Sequence, residues 1–212
     1  MSNRRQRRGP RSSAVTDTTD TTADRSPPVF GLVLAGGKSR RFGSDKAAIE
    51  VGGEPLLIKT FRLLEALCTS TFVSVRADQT ADALRASLPL IVDDATGLGP
   101  AGGLLAAHRR DAAAAWLIVA CDMPHLNEAT LRNLLKSRRT AADATAYSSP
   151  RDGGPEPLCA IYEPATLARF ARRAAEGRSL SPRELLKTCD IEIVALDHEA
   201  ALTNVNVPED LN

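Results

Sequence analysis

The chain has 212 residues, 43% of them hydrophobic, which suits one α/β domain with a substantial core. Its formal net charge is +1, so no global field draws it to nucleic acid or to a membrane surface. An anionic ligand must be held by a local site, and no apolar run approaches the roughly 20 residues that span a bilayer.

Residues 1–28 differ from the rest. Arg4, Arg5, Arg7, Arg8 and Arg11 form a basic cluster, followed by a Ser/Thr/Asp/Ala stretch up to Pro27-Pro28. This composition buries no apolar surface and is expected to be a disordered tail. Asp17, Asp20 and Asp24 speak against a transit peptide, and no basic-then-apolar leader is present. The expected domain spans residues 29–212.

From Val29 the chain alternates between strand-like and helix-like segments. Val29 to Leu34 is a short apolar run typical of a strand buried on both faces. Pro55 to Cys68 predicts a helix, with Leu57, Phe61, Leu64 and Cys68 on one side. Strands are predicted at Phe72 to Val75 and at Leu90 to Val92, with a short helix at Ala81 to Ala86 between them. Gly102 to Arg110 reads as helix and Trp116 to Ala120 as a fourth buried strand. Asn127 is placed to cap a helix from Glu128 to Lys136, with Leu126 and Leu131 as its hydrophobic staple.

Strands follow near Ala144–Tyr147 and Leu158–Tyr162, then a helix from Pro164 to Glu176 that ends at Gly177. Ser181-Pro182-Arg183-Glu184 fits a capping box, and Ile191, Ile193 and Ala195 alternate in a final strand. The expected fold class is α/β: a single three-layer α/β/α domain with a mostly parallel, Rossmann-like sheet. The four cysteines, Cys68, Cys121, Cys159 and Cys189, form no CxxC pair. They are expected to be reduced core thiols of a cytoplasmic protein rather than a zinc site or a disulfide framework.

In such sheets ligands bind beyond the carboxyl ends of the strands, which marks three turns. The first, Leu34-Ala35-Gly36-Gly37-Lys38-Ser39-Arg40-Arg41-Phe42-Gly43-Ser44-Asp45-Lys46, combines glycines with Lys38, Arg40, Arg41 and Lys46. Glycine lets backbone N–H groups approach a ligand closely, and clustered cations suit a polyphosphate. It is not a P-loop, because Leu32 stands at the first glycine position, and Gly36, Gly37 and Gly43 lack the GxGxxG spacing. The second turn runs from Asp93-Asp94 to Gly99-Pro100-Ala101-Gly102-Gly103 and opens a helix. The third, Cys121-Asp122-Met123-Pro124, sets a lone carboxylate at the end of a buried strand. That placement is costly unless the charge is paired or binds metal, and Mg²⁺ takes one or two carboxylates plus substrate phosphates.

The first turn resembles the signature loop of the molybdenum cofactor nucleotidyltransferases, of guanylyltransferase type, within the superfamily that includes sugar-phosphate nucleotidyltransferases. The resemblance implies that Leu34, Ala35, Gly36 and Gly37 contact the nucleotide and that Arg41 and Lys46 face its phosphates. Asp93, more than Asp94, matches the family's guanine-binding Asp by its spacing to Gly99-Pro100. Cys121-Asp122-Met123-Pro124 resembles the family's Cys-Asp-x-Pro, which implies Mg²⁺ on Asp122. Thr203-Asn204-Val205-Asn206-Val207-Pro208 resembles its Asn-Val-Asn ending, where Asn204 or Asn206 would complete the metal shell.

Arg41, Lys46 and Asp122 are thus the expected catalytic residues. GTP and molybdopterin are the implied substrates, and molybdoenzymes or their chaperones the implied transient contacts. Phe42 replaces the more usual Met, Arg76 stands where some members carry Asn, and Gly153-Gly154-Pro155-Glu156-Pro157 matches only loosely. The alternatives are a cytidylyltransferase on the same cofactor, which usually carries Leu-Ala-Ala-Gly in the first turn, and a non-catalytic nucleotide or molybdopterin carrier.

Overall fold

The computed structural model describes residues 26–37, 45–93 and 97–205. Residues 1–25 of the expected tail, Arg41, Asp94 and Asn206 lie outside them. Strand β1 (Val29–Leu34) is followed by a small hairpin, β2 (Glu50–Val51) and β3 (Glu54–Pro55), and by helix α1 (Leu56–Glu65). Then come β4 (Ser70–Val75), β5 (Leu90–Val92), α2 (Pro100–Arg110), β6 (Ala115–Ala120) and α3 (Glu128–Lys136). The described chain closes with β7 (Ala144–Ser148), β8 (Pro155–Tyr162), α4 (Pro164–Ala175), α5 (Pro182–Leu186) and β9 (Ile191–Val194).

Seven strands form one sheet in the order β5-β4-β1-β6-β8-β7-β9. The pairs β5–β4, β4–β1, β1–β6 and β7–β9 are parallel, whereas β8 runs antiparallel to both neighbours. The mostly parallel expectation therefore holds, with one reversed strand. The reversal follows from the short connection between β7 and β8, where Ser149 N bonds Gly154 O at 2.6 Å; a tight hairpin joins only antiparallel strands.

Alternate side chains of the strands feed two cores. Val33, Val73, Leu117, Val119 and Ile161 pack with Leu57, Phe61 and Leu64 of α1 and Leu131 and Leu134 of α3. Leu32, Trp116, Ile118, Ala160 and Tyr162 pack on the other face with Leu104 of α2, Phe170 of α4 and Leu185 of α5. Large apolar side chains are buried on both faces of the sheet, which is why helices cover both. Among the described residues no helix is long and apolar enough to cross a membrane.

Two of the helix starts, those of α3 and α5, are set by side-chain caps. Asn127 Oδ1 accepts from Thr130 N at 3.0 Å, and Leu126 and Leu131, the two staple positions, are both fully buried. Ser181 Oγ accepts from Glu184 N at 3.3 Å at the start of α5. The expected helix at Ala81–Ala86 is instead a series of turns after a 3₁₀ turn at Ala77–Gln79. Its one helix-type bond is Ala86 N to Asp82 O at 2.8 Å. Six residues are too few to sustain a helix alone, and Pro89 blocks extension.

Candidate functional site

The chain proceeds from β1 outward to β4 and β5, then returns to lay β6 on the other side of β1. The gap between β1 and β6 is the topological switch point, where connections diverge and leave a crevice at the strands' carboxyl ends. Register pairs Leu34 with Ala120 there, and Cys121 N bonds Leu34 O at 3.3 Å. A cavity of about 180 Å³ opens at this point, lined among others by Ala35, Gly36, Gly37, Lys46, Asp93 and Asp122.

Seven sequence-predicted site residues, Leu34 among them, thus meet in one cleft together with Asn204, which the sequence offered for the metal shell. They come from the first turn, the end of β5, the end of β6 and the segment before the C-terminus. Arg41 is the expected site residue that lies outside the described residues.

The β6 side is built around Asp122. Lys46 Nζ donates to Asp122 Oδ2 at 3.1 Å, both side chains being 19% exposed. Asp122 Oδ1 is buried with no hydrogen-bond partner among the described residues. A carboxylate oxygen in that state is costly unless a further cation or donor arrives. No group of three or more His, Cys, Asp or Glu side chains clusters as a metal centre among the described residues. One carboxylate with an open oxygen beside a polyphosphate site still suits a hard divalent cation that takes its other ligands from phosphate and water. Asn204 is carried to this point by Val205 N, which bonds Asp122 O at 2.9 Å. Cys121 is buried and its thiol is pushed up to about 12 by burial first and by Asp122 second, so it packs rather than reacts.

The β5 side is built around Asp93. Ser74 Oγ donates to Asp93 Oδ1 at 2.6 Å, and Asp93 N bonds Val75 O at 2.8 Å. Burial raises the Asp93 pKa; Ser74, Arg76 and Arg109 oppose that rise without cancelling it. Glycine is needed where backbones crowd this carboxylate. A Cβ on Gly36 would sit 3.3 Å from Asp93 Oδ2, and one on Gly102 would sit 3.3 Å from Asp93 Cβ. A Cβ on Gly103 would collide with Leu34 Cδ2 and come within 2.7 Å of Ser74 Oγ. Gly99, at φ +56° just before Pro100, adopts a backbone that other residues avoid, and it turns the chain into α2.

Two arginines escaped the sequence reading. Arg85 is buried and pairs with Asp45 and Asp82. Arg76, given no role from sequence, donates through Nη1 to Gly36 O and pairs with Asp78 through Nε at 2.9 Å. The signal for Arg85 was weak, since a lone Arg in a polar segment reads as solvated.

A larger hollow of about 920 Å³ shares Pro100, Leu158 and Asn204 with the cleft and is lined also by Arg151, Glu156 and Arg183. Arg183 Nη1 reaches Asp152 Oδ2 at 2.6 Å, and Glu156 accepts from Ser149 Oγ at 2.8 Å.

Fold and cleft together define an α/β protein of the nucleotide-diphospho-sugar transferase type. Residues 31–193 match the family model described as the MobA-like NTP transferase domain, so the chain belongs to that family. It is 35% identical over 188 residues to a probable molybdenum cofactor guanylyltransferase of Opitutus terrae, covering 85% of this chain and 91% of that one. It is 36% identical over 183 residues to a molybdenum cofactor biosynthesis bifunctional protein of Synechocystis sp., covering 86% of this chain but 52% of that one. The chain therefore spans about half of the bifunctional protein. The fold matches the crystal structure of molybdopterin-guanine dinucleotide biosynthesis protein A from Archaeoglobus fulgidus with TM-score 0.70 at 24% identity, over 86% of this chain and 94% of that one.

Proposed function

We propose that the chain transfers GMP from GTP to molybdopterin, releasing pyrophosphate and forming the guanine dinucleotide cofactor. The observation that carries this reading is the Lys46–Asp122 pair, with Asp122 Oδ1 left unpartnered, facing the glycine turn and Asp93 across one cleft. The relatives with guanylyltransferase names supply the choice of substrates.

In the proposed reaction an oxygen of molybdopterin's terminal phosphate attacks the α-phosphorus of GTP. The bond to the β-phosphate bridging oxygen breaks, and that oxygen leaves with pyrophosphate. No protein nucleophile is needed. Lys46 and the N–H groups of Gly36 and Gly37 hold the phosphates and offset the charge that grows on them, a preorganised electrostatic contribution. Arg41 is assigned to the same phosphates. Asp122 would hold Mg²⁺, with Asn204 or Asn206 beside it, and the bound ion supplies positive charge to the phosphate oxygens. Asp93 is assigned to the guanine side, held by Ser74, with Leu34, Ala35 and Gly36 against the nucleotide. The Arg151 and Arg183 hollow suits the acceptor because it adjoins the cleft and carries cations for its phosphate.

Gly36 favours guanine over cytosine in this reading. The Ala of the cytidylyltransferase pattern would press a methyl group toward Asp93 Oδ2. The working domain is taken as residues 29–212. The product passes to molybdoenzymes or their chaperones in the cytoplasm, where the four free cysteines stay reduced.

The test is pyrophosphate release from GTP or CTP in the presence of molybdopterin and Mg²⁺. Release with GTP and not CTP supports the reading. Release with CTP alone assigns the cytidylyltransferase alternative. Tight GTP binding with no release under either condition favours the non-catalytic carrier.

A further inference from the structure

The segment between β4 and β5 carries a buried arginine that the reaction above does not use. Arg85 is 1% exposed. Its Nη2 donates to Ala35 O at 3.2 Å and pairs with Asp45 Oδ2 at 2.6 Å, while Nη1 pairs with Asp82 Oδ1 at 2.9 Å. Ala35 and Asp45 are the two stems of the 36–44 turn. One guanidinium therefore ties the entry of that turn to its exit.

Both stems lead directly to groups assigned to the phosphates. The described peptide bonds are all trans, and in a trans peptide the carbonyl and the following N–H point in opposite directions. Holding Ala35 O fixes the direction of the Gly36 N–H. Holding Gly36 O, which Arg76 does, fixes that of Gly37. Neither N–H donates to a backbone acceptor among the described residues. At the exit, Asp45 caps the 3₁₀ turn through Ala47 N at 3.1 Å and precedes Lys46, whose Nζ lies 3.1 Å from Asp122.

Stability alone does not account for an arginine here. Burying a guanidinium is costly, and an apolar side chain in its place is often neutral or better. The Arg85 Nε–H is itself buried without an acceptor among the described residues. What an apolar side chain cannot do is bridge a carbonyl and a carboxylate from the two ends of one turn.

We infer that Arg85 is a positioning residue for the nucleoside triphosphate, bridging both stems of the 36–44 turn so that the Gly36 N–H and the Lys46 ammonium meet the phosphates together. The inference rests on the nucleotide half of the proposed reaction and is independent of the acceptor.

The experiment compares the full chain with R85M, R85K and D82N. It measures Mg²⁺-GTP binding by calorimetry, pyrophosphate release and thermal unfolding. Asp45 and Asp82 are 37% and 42% exposed, so water can hydrate them when the guanidinium is removed, and the variants are expected to fold. R85M should raise the GTP Kd and KM about tenfold, the scale of one charge-assisted hydrogen bond, with the acceptor KM unchanged. R85K, which reaches one stem at a time, should recover part of that loss. D82N leaves both stems bridged and should bind GTP within about twofold of the parent, since the lost pair is half-exposed.

R85M with parental GTP affinity below its unfolding temperature overturns the inference, however far its Tm moves. Should R85M fail to fold, R85K decides, and parental affinity there overturns it equally. A parent chain that binds GTP yet releases no pyrophosphate with molybdopterin defeats the guanylyl-transfer reading, while a binding loss in R85M still supports Arg85. A parent chain that does not bind GTP overturns both.

Discussion

Two partly buried carboxylates in the cleft differ in what partners them. Asp122 has a lysine on one oxygen and nothing on the other among the described residues. Substituting Asn keeps the shape and lets Lys46 still donate to an amide oxygen, so the fold should persist. Turnover at saturating GTP should fall roughly 10²-fold or more, the scale of losing one preorganised electrostatic partner. Pyrophosphate release across a Mg²⁺ titration measures this, and unchanged turnover would remove Asp122 from the mechanism.

Asp93 differs in that burial raises its pKa despite the Ser74 hydrogen bond. For an acid with a raised folded pKa, the folded state binds the proton more tightly than the unfolded state. Its stabilising contribution is full below the unfolded value, near the ordinary Asp pKa of about 4, and is lost as pH rises through the folded value. D93N does not titrate and can still accept from Ser74. It should therefore be more stable than the parent at pH 7.5, with the gap narrowing as pH falls toward 4. GTP affinity should drop about tenfold over the same range of folded conditions. Urea unfolding at several pH values, paired with GTP titrations, checks both halves. A gap that widens at low pH would contradict the burial argument.

At the scale of elements, the approach of α2 to β1 and β4 sets the width of the Asp93 side. Gly103 permits it, since a Cβ there would meet Leu34 Cδ2 and Ser74 Oγ. Leu34 packs on the core and Ser74 is 1% exposed, so these side chains or the helix must give way. G103A should destabilise by about 1–3 kcal/mol through overpacking, and G102A by less, because its nearest contacts are at 3.3 Å. Denaturant midpoints order the two variants, and a G103A protein as stable as the parent would show that α2 yields freely.

The same elements show what the sequence made legible. Strands β1, β5 and helix α3 follow the predicted bounds because a buried apolar run and an Asn cap are local signals. The three cleft-lining turns were legible because each follows a strand and is chemically unlike an ordinary turn. The β2–β3 hairpin went unread although Gly52-Gly53, at φ +66° and +81°, carries the two-residue turn that favours it. The reversal of β8 was not read because side-chain period carries no pairing direction and the strand was expected to begin at Leu158, which hid the tight hairpin that β8, starting at Pro155, makes with β7. Arg85 was missed because its partners Ala35 and Asp45 lie 50 and 40 positions away, and the segment around it reads as a weak helix.

For the whole molecule, the end of the sheet opposite the cleft is locked by a different pair. Arg138 meets Glu163 through Nε–Oε1 at 2.7 Å and Nη2–Oε2 at 2.8 Å, with side chains 10% and 6% exposed. Its third nitrogen, Nη1, donates to Pro27 O at 2.8 Å, and Ala115 N bonds Pro28 O at 3.0 Å. One arginine thus joins the end of α3, the start of α4 and the residues entering β1. Removing it strands a buried carboxylate, which costs far more than losing a surface pair. R138M should lose about 3–5 kcal/mol of stability, or roughly 10 °C in Tm for a chain of this size. Adding E163Q removes the stranded charge and should restore part of the loss. Six residues of β1 at about 3.3 Å each set this pair some 20 Å from the Leu34 end. GTP affinity at 25 °C should therefore be unaffected in R138M. Thermal unfolding and GTP calorimetry on the single and double variants decide it. A drop in GTP affinity without unfolding would mean that the far end of the sheet is mechanically coupled to the cleft, which two independent cores on a rigid sheet do not predict.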